Sequence, residues 1–162
     1  MFRLPSDAKE WFEKIPLDKK TPLFSEEWDL YYLCLLYGIS EDAVDNKAVR
    51  IDMAKNFTKK YKHAKDILVP LLMLNHAKKR NKRLDDKDTL QKILEKYYDP
   101  EHESNTSLST EAINEMNDYA AGGFYLLERK VPFMSESVDA INMIYKDLSQ
   151  KMDKFSRRLS AN

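Results

Sequence analysis

Glycine, cysteine and long apolar runs are scarce in this sequence, and each shortage excludes a class of function. Only three glycines occur, Gly38, Gly122 and Gly123, too few for a phosphate-cradling loop or a dinucleotide fingerprint, both of which need glycines where the backbone approaches phosphate. The single cysteine, Cys34, has no partner for an internal disulfide and lies in an apolar stretch where a thiol behaves as a small hydrophobe. There is no apolar run of the roughly eighteen residues a membrane span needs, and Met1 to Glu10 is charged from Arg3 onward, with no apolar stretch of signal-peptide length. The expectation is a cytoplasmic protein without membrane contact. His63, His76 and His102 share no metal-ligand spacing. Asp85, Asp86 and Asp88 cluster where a helix is predicted to start, and acids there favour the helix dipole. Glu13-Lys14 and Glu128-Arg129-Lys130 fall on predicted helices, not on the strand that a magnesium-dependent nuclease would use. No catalytic residue, metal set or cofactor is assigned, and a non-enzymatic role is expected.

What is present is a helix-forming composition. The chain has 162 residues, 43% apolar and 33% charged, and a chain of this size buries about two thirds of the surface it exposes unfolded. Residues 1–162 are therefore read as a single α-helical domain, an all-α bundle of about six or seven helices with a long amphipathic C-terminal helix. Ser6 to Glu13 reads as a short helix, followed by a turn bracketed by Pro16 and Pro22. Ser25 is positioned to cap a helix through Tyr37 with Gly38 as its stop, and Leu30 to Tyr37 is apolar or aromatic on every side, as in a helix buried all round. Asp52 to Tyr61 reads as a further helix, and Asp66 to Arg80 as one that is kinked at Pro70 or begins there. Leu90, Ile93, Leu94, Tyr97 and Tyr98 mark one buried face behind an Asp88 cap. Ile113, Met116, Ala120, Phe124, Leu127 and Val131 mark another, capped by Ser109 or Thr110. Between these two lies a polar, acidic loop, Asp99 to Leu108. The most regular stripe is Val138, Ile141, Tyr145, Leu148, Met152, Phe155 and Leu159, whose alternating steps of three and four form a seam for another helix.

Charge is unevenly placed along a chain whose total is zero. Residues 47–83 hold twelve lysines and arginines against Asp52 and Asp66, a net charge of +10, and the segments on either side each carry −5. Lys55, Lys59, Lys60, Lys62, Lys78, Lys79, Arg80, Lys82 and Arg83, with Phe57 and Tyr61 interleaved, form the pattern of a phosphate-binding surface, where cations release condensed counterions and rings stack on bases. The competing reading is a solvated face, or a block that docks on the acidic parts of this chain or of a second copy.

Gly122-Gly123 interrupts a strong helical stripe at about 1 kcal/mol per glycine relative to alanine, so close packing against another backbone is the expected compensation, with a hinge or a helix C-cap as the main rival reading and a phosphate site at the following helix start as the third. Gly122, Gly123 and Phe124, with Tyr145, Leu148, Met152 and Phe155 of the seam, are taken as partner-binding residues. The Leu23-Phe24 pair, the run Asp29 to Cys34 ending at Gly38, and Asp118-Tyr119-Ala120-Ala121-Gly122-Gly123 with Leu126-Leu127 resemble the small accessory proteins of prokaryotic anti-phage defence islands associated with Dnd DNA-phosphorothioation clusters. The resemblance implies a non-enzymatic subunit working beside a larger ATPase or nuclease. Joined to the basic block, it gives the expectation of an accessory subunit of a defence or DNA-processing complex that contacts the larger subunit and, through that block, DNA. The alternatives are a free-standing nucleic-acid-binding regulator, homo-oligomeric through its last helix, and a structural adaptor without nucleic acid.

Overall fold

The computed structural model describes residues 1–13, 26–102, 106–130 and 137–160. In chain order these form β1 (Phe2–Pro5), α1 (Ala8–Glu13), α2 (Glu27–Glu41), β2 (Arg50–Ala54), α3 (Lys65–Lys79), α4 (Lys87–Tyr97), α5 (Thr110–Lys130) and α6 (Ser137–Ser160). The chain is thus predominantly helical, and its two-stranded antiparallel sheet corrects the all-α expectation.

The packing of α2 against α5 is the centre of the fold, and its cause lies in the three glycines. A β-carbon on Gly38 would stand 1.9 Å from the Tyr119 carbonyl oxygen, one on Gly123 would stand 1.9 Å from that of Cys34, and one on Gly122 would stand 2.3 Å from that of Ala43. Every glycine in the sequence is therefore spent where backbones touch. Gly38 is not the stop expected of it. The helix runs on to Glu41 and ends at Asp42, which takes the left-handed conformation with φ 53°, one that Asp tolerates better than most residues. The amides of Asp42 and Ala43 then bond back to Ile39 and Gly38, closing the last turn with the pattern that usually calls for glycine. At the other end Glu26 and Asp29 form a reciprocal capping box. Ser25 and the Pro16–Pro22 turn lie outside the described residues.

The second correction concerns Asp52 to Tyr61. Its first residues pair with the N-terminus as β2, with Leu4 opposite Ile51, and turns carry the chain on to α3. Phe2 and Leu4 alternate inward from β1, and Asn117 of α5 fastens the strand. The Asn117 side chain accepts from the Arg3 amide (2.9 Å) and the buried Tyr31 hydroxyl (3.0 Å) and donates to the Met1 carbonyl (3.1 Å). One carboxamide thereby stands in for a neighbouring peptide group on the open edge of β1. Pro70 sits inside α3, which begins five residues before it. Asp86, not Asp88, caps α4 by accepting from the Thr89 amide. Ser109 caps α5 by accepting from the Ala112 amide.

Candidate nucleic-acid interface

The basic block of 47–83 does not fold into one surface. Lys59, Lys60 and Lys62 lie in the turns before α3, while Lys78, Lys79, Arg80, Lys82 and Arg83 lie at and beyond its far end. A helix of 15 residues separates the two groups by about 20 Å.

Several of the cations are already matched by carboxylates from the acidic flanks. Arg50 points inward to Asp118 (2.7 Å) and to the Asp45 carbonyl. Lys60 pairs with the buried Asp29, which also accepts from the Tyr61 hydroxyl. Burial and this bond to Asp29 hold the Tyr61 phenol well above its ordinary pKa. Trp28 stacks on both Phe57 (4.8 Å) and Tyr61 (5.7 Å), so the rings expected to receive bases are taken up by the protein's own aromatic cluster. Lys79 closes a third knot with Asp42 (2.7 Å) and the Tyr119 hydroxyl (3.0 Å), and Asn75 donates to that hydroxyl at 2.6 Å. Burial pushes the Tyr119 phenol up to about 12. Burial also opposes the charge on Asp42, but hydrogen bonds from Lys79, Asn75 and Tyr119 outweigh it and keep the carboxyl below its usual range. Lys79 is thus a clamp between α2, α3 and α5 as much as a surface charge. Lys55 is exposed at the end of β2.

What remains is concentrated at the end of α3. Lys59, Lys62, Lys78, Arg80 and Lys82 are exposed, and none of them enters an ion pair among the described residues. Lys78, Asn81, Lys82 and Arg83 line an open groove of about 680 Å³ together with Leu74, Ala77, Leu84 and Asp85. The groove exists because α3 stops abruptly. Asn81 adopts φ 50°, its amide bonds to the Lys78 carbonyl and the Lys82 amide to that of Ala77, and the chain turns away with its cations fanned around the last helical turn. Arg83 is held in a two-pronged contact by Asp85, Nε to Oδ1 at 3.0 Å and Nη2 to Oδ2 at 2.6 Å, and that hydrogen bonding keeps the Asp85 carboxyl below the ordinary value. Asn81 and the apolar floor of Leu74, Ala77 and Leu84 were not legible as a site. The only signal in the sequence is an Asn directly after a basic helix end, where a left-handed residue is wanted.

The residues assigned to partner binding divide. Gly122, Gly123 and Phe124 are all buried: Gly123 against the α2 backbone, Gly122 against the Ala43–Val44 backbone just beyond α2, and Phe124 beside Phe12 of α1. Leu148 packs on the core beside Ile144, Met152 is half-buried, and Tyr145 is 74% exposed. The buried face of α6 is therefore turned from the expected seam toward Ile144. The side chains of Val138, Ile141, Phe155 and Leu159 lie outside the described residues. Lys151 pairs with Glu41, Lys130 with Asp147 (3.1 Å), and both lysines stand over the Tyr37 ring.

Among the described residues no group of three His, Cys, Asp or Glu is placed to hold a metal ion, and no helix is long and apolar enough to cross a membrane. No family model, curated protein or solved structure matches the chain.

Proposed function

We propose that the protein is a non-enzymatic accessory subunit that contacts DNA phosphates through Lys78, Arg80, Lys82 and Arg83 while docked on a larger protein subunit, an ATPase or nuclease of a defence or DNA-processing complex. The observation that carries this reading is the groove at the end of α3. Elsewhere the folded chain matches much of its basic block with its own carboxylates, whereas here Lys78, Arg80 and Lys82 stand exposed with no ion pair among the described residues. Arg83 is the adjustable member. Its ion pair with Asp85 is exposed on both sides, and pairs so open to water and salt add little, so a phosphate can replace the carboxylate at small cost. Lys59 and Lys62, at the opposite end of α3, extend the footprint. Contact with the larger subunit falls to α6, where the exposed Tyr145 ring stands near the exposed Met143 in the chain.

The test is a salt titration of binding to a fluorescent DNA that has a duplex part and a single-stranded tail. Replacing Lys78, Arg80 and Lys82 together by Gln should lower affinity at every sequence and flatten the slope of log K against log salt by about 0.7 to 0.9 for each phosphate no longer neutralised. Replacing Lys79 should instead lower stability, because it removes the clamp. A triple variant that binds with wild-type affinity and slope would place these cations on a solvated face and remove the proposal.

A further inference from the structure

The same groove carries a more specific reading, which rests on the phosphate-binding role just described. A duplex offers a protein surface its charged phosphate ridge, with the bases stacked away behind it. Such a ridge would satisfy Lys78, Lys82 and Arg83 and leave the apolar floor of Leu74, Ala77 and Leu84 uncovered. The floor is part of the groove and not of the sealed interior, since Leu74 and Leu84 are each only half-buried. A volume of about 680 Å³ falls in the range of small-molecule sites and is far more than one phosphate needs. The apolar floor, a rim of Lys78, Lys82 and Arg83 on which Asp85 is the one carboxylate and is neutralised by Arg83, and the Asn81 carboxamide together match the parts of a single nucleotide whose base is free, with sugar and base on the leucines, phosphates on the rim and Asn81 within the same groove to meet a base edge.

We infer that the groove at the end of α3 takes an unpaired nucleotide, so that the protein engages a single-stranded segment of DNA in preference to a continuous duplex. Among the described residues no aromatic platform lines the groove, so the contact is an apolar seat for one nucleotide and not the multi-base stack of dedicated single-strand binders.

Three oligonucleotides of equal charge separate this inference from the reading on which it rests: a single strand, the same strand with abasic sites along its length, and a blunt duplex. At one fixed salt concentration, the single strand should bind about tenfold more tightly than its abasic counterpart, because only the base differs between them. It should also bind more tightly than the duplex. In the protein, Leu84→Ser should abolish the difference between normal and abasic strands while leaving the salt slope unchanged. Equal binding of the normal and abasic strands would overturn the inference and leave phosphate contact standing, whereas no binding of any of the three would remove the phosphate-binding reading itself. Because the abasic comparison uses the wild-type protein, it decides the matter even where the Leu84 variant folds poorly.

Discussion

At the scale of single residues, glycine does the work that determines the fold. A helix interior normally loses about 1 kcal/mol per glycine against alanine, so an alanine at Gly38 or Gly123 gains helix propensity. It also meets a carbonyl oxygen 1.9 Å from its β-carbon, and a backbone atom inside a helix cannot move aside as a side-chain tip can. Overpacking of this kind costs about 1 to 3 kcal/mol and more where no relaxation is open, so the steric term outweighs the propensity term. Gly38→Ala and Gly123→Ala should each lower the urea midpoint of unfolding without changing its slope. A midpoint equal to or above that of the wild type would show that the two helices can separate at little cost.

At the scale of elements, the helices are joined by polar knots at their exposed margins, and in one of these the fold opposes protonation of a histidine. His76 of α3 faces Lys96 of α4, whose Nζ stands 3.3 Å from Nδ1, with Tyr97 edge-on beside it. Lys96 also reaches Glu115 (3.1 Å) and Glu111 (3.3 Å) of α5. Burial, then the charges of Lys96 and Arg80, lower the His76 pKa despite the opposing pull of Glu115 and Glu111. The folded state therefore binds fewer protons at this site than the unfolded chain, whose histidine titrates near its ordinary value, roughly 6.5. Stability from this group is complete above that value and is lost as the pH falls from it toward the lowered folded-state pKa. Urea unfolding at stepped pH should show this loss, and His76→Gln should flatten the curve in that window; an unchanged profile in the variant would assign the acid sensitivity to other groups. The physics of these joints also explains what the sequence disclosed. Ile93 and Tyr97 of the α4 stripe and the Ser109 start of α5 were legible because helix periodicity and capping are local, whereas Leu94 and Tyr98, expected on the same buried face, are exposed. The pairing of Phe2–Pro5 with Arg50–Ala54 was not, since it joins segments nearly fifty residues apart and each strand is too short to show alternation. The charge asymmetry was legible as an amount but not as a site, because the carboxylates that match Arg50, Lys60, Lys79 and Arg83 come from Asp118, Asp29, Asp42 and Asp85, all outside the basic segment.

Across the whole molecule, burial among the described side chains is distributed unequally between the packed centre and the last helix. The first strand and α2, α3 and α5 supply most of the fully buried side chains, among them Phe2, Tyr31, Leu35, Leu68, Leu72 and Phe124. For α6, 24 residues long, Ile144 is the only buried hydrophobic residue among its described side chains, supported by the half-buried Leu148 and by the pairs of Lys151 with Glu41 and Asp147 with Lys130. One large side chain buried is worth about 1.5 to 3 kcal/mol, and the partly exposed ion pairs add little, so the described side chains of α6 hold it less firmly than the packed centre is held, and local opening of this helix is the expectation to test. Ile144→Asp places a charge in the one sealed contact among those described side chains and should release α6 while the centre persists. Two measurements read the two parts separately. Trp28, 2% exposed in the aromatic cluster beneath β1, should keep its folded-state fluorescence and a cooperative urea transition, while amides of 143–154 lose their protection against hydrogen exchange. If the tryptophan signal is lost together with that protection, α6 is an integral wall of the core. If both persist, the helix is held by contacts other than Ile144. Release with an intact centre would mean that a helix bearing an exposed Tyr145 can leave its place and pair elsewhere, which is the mechanical requirement for α6 to serve as the contact with a larger subunit.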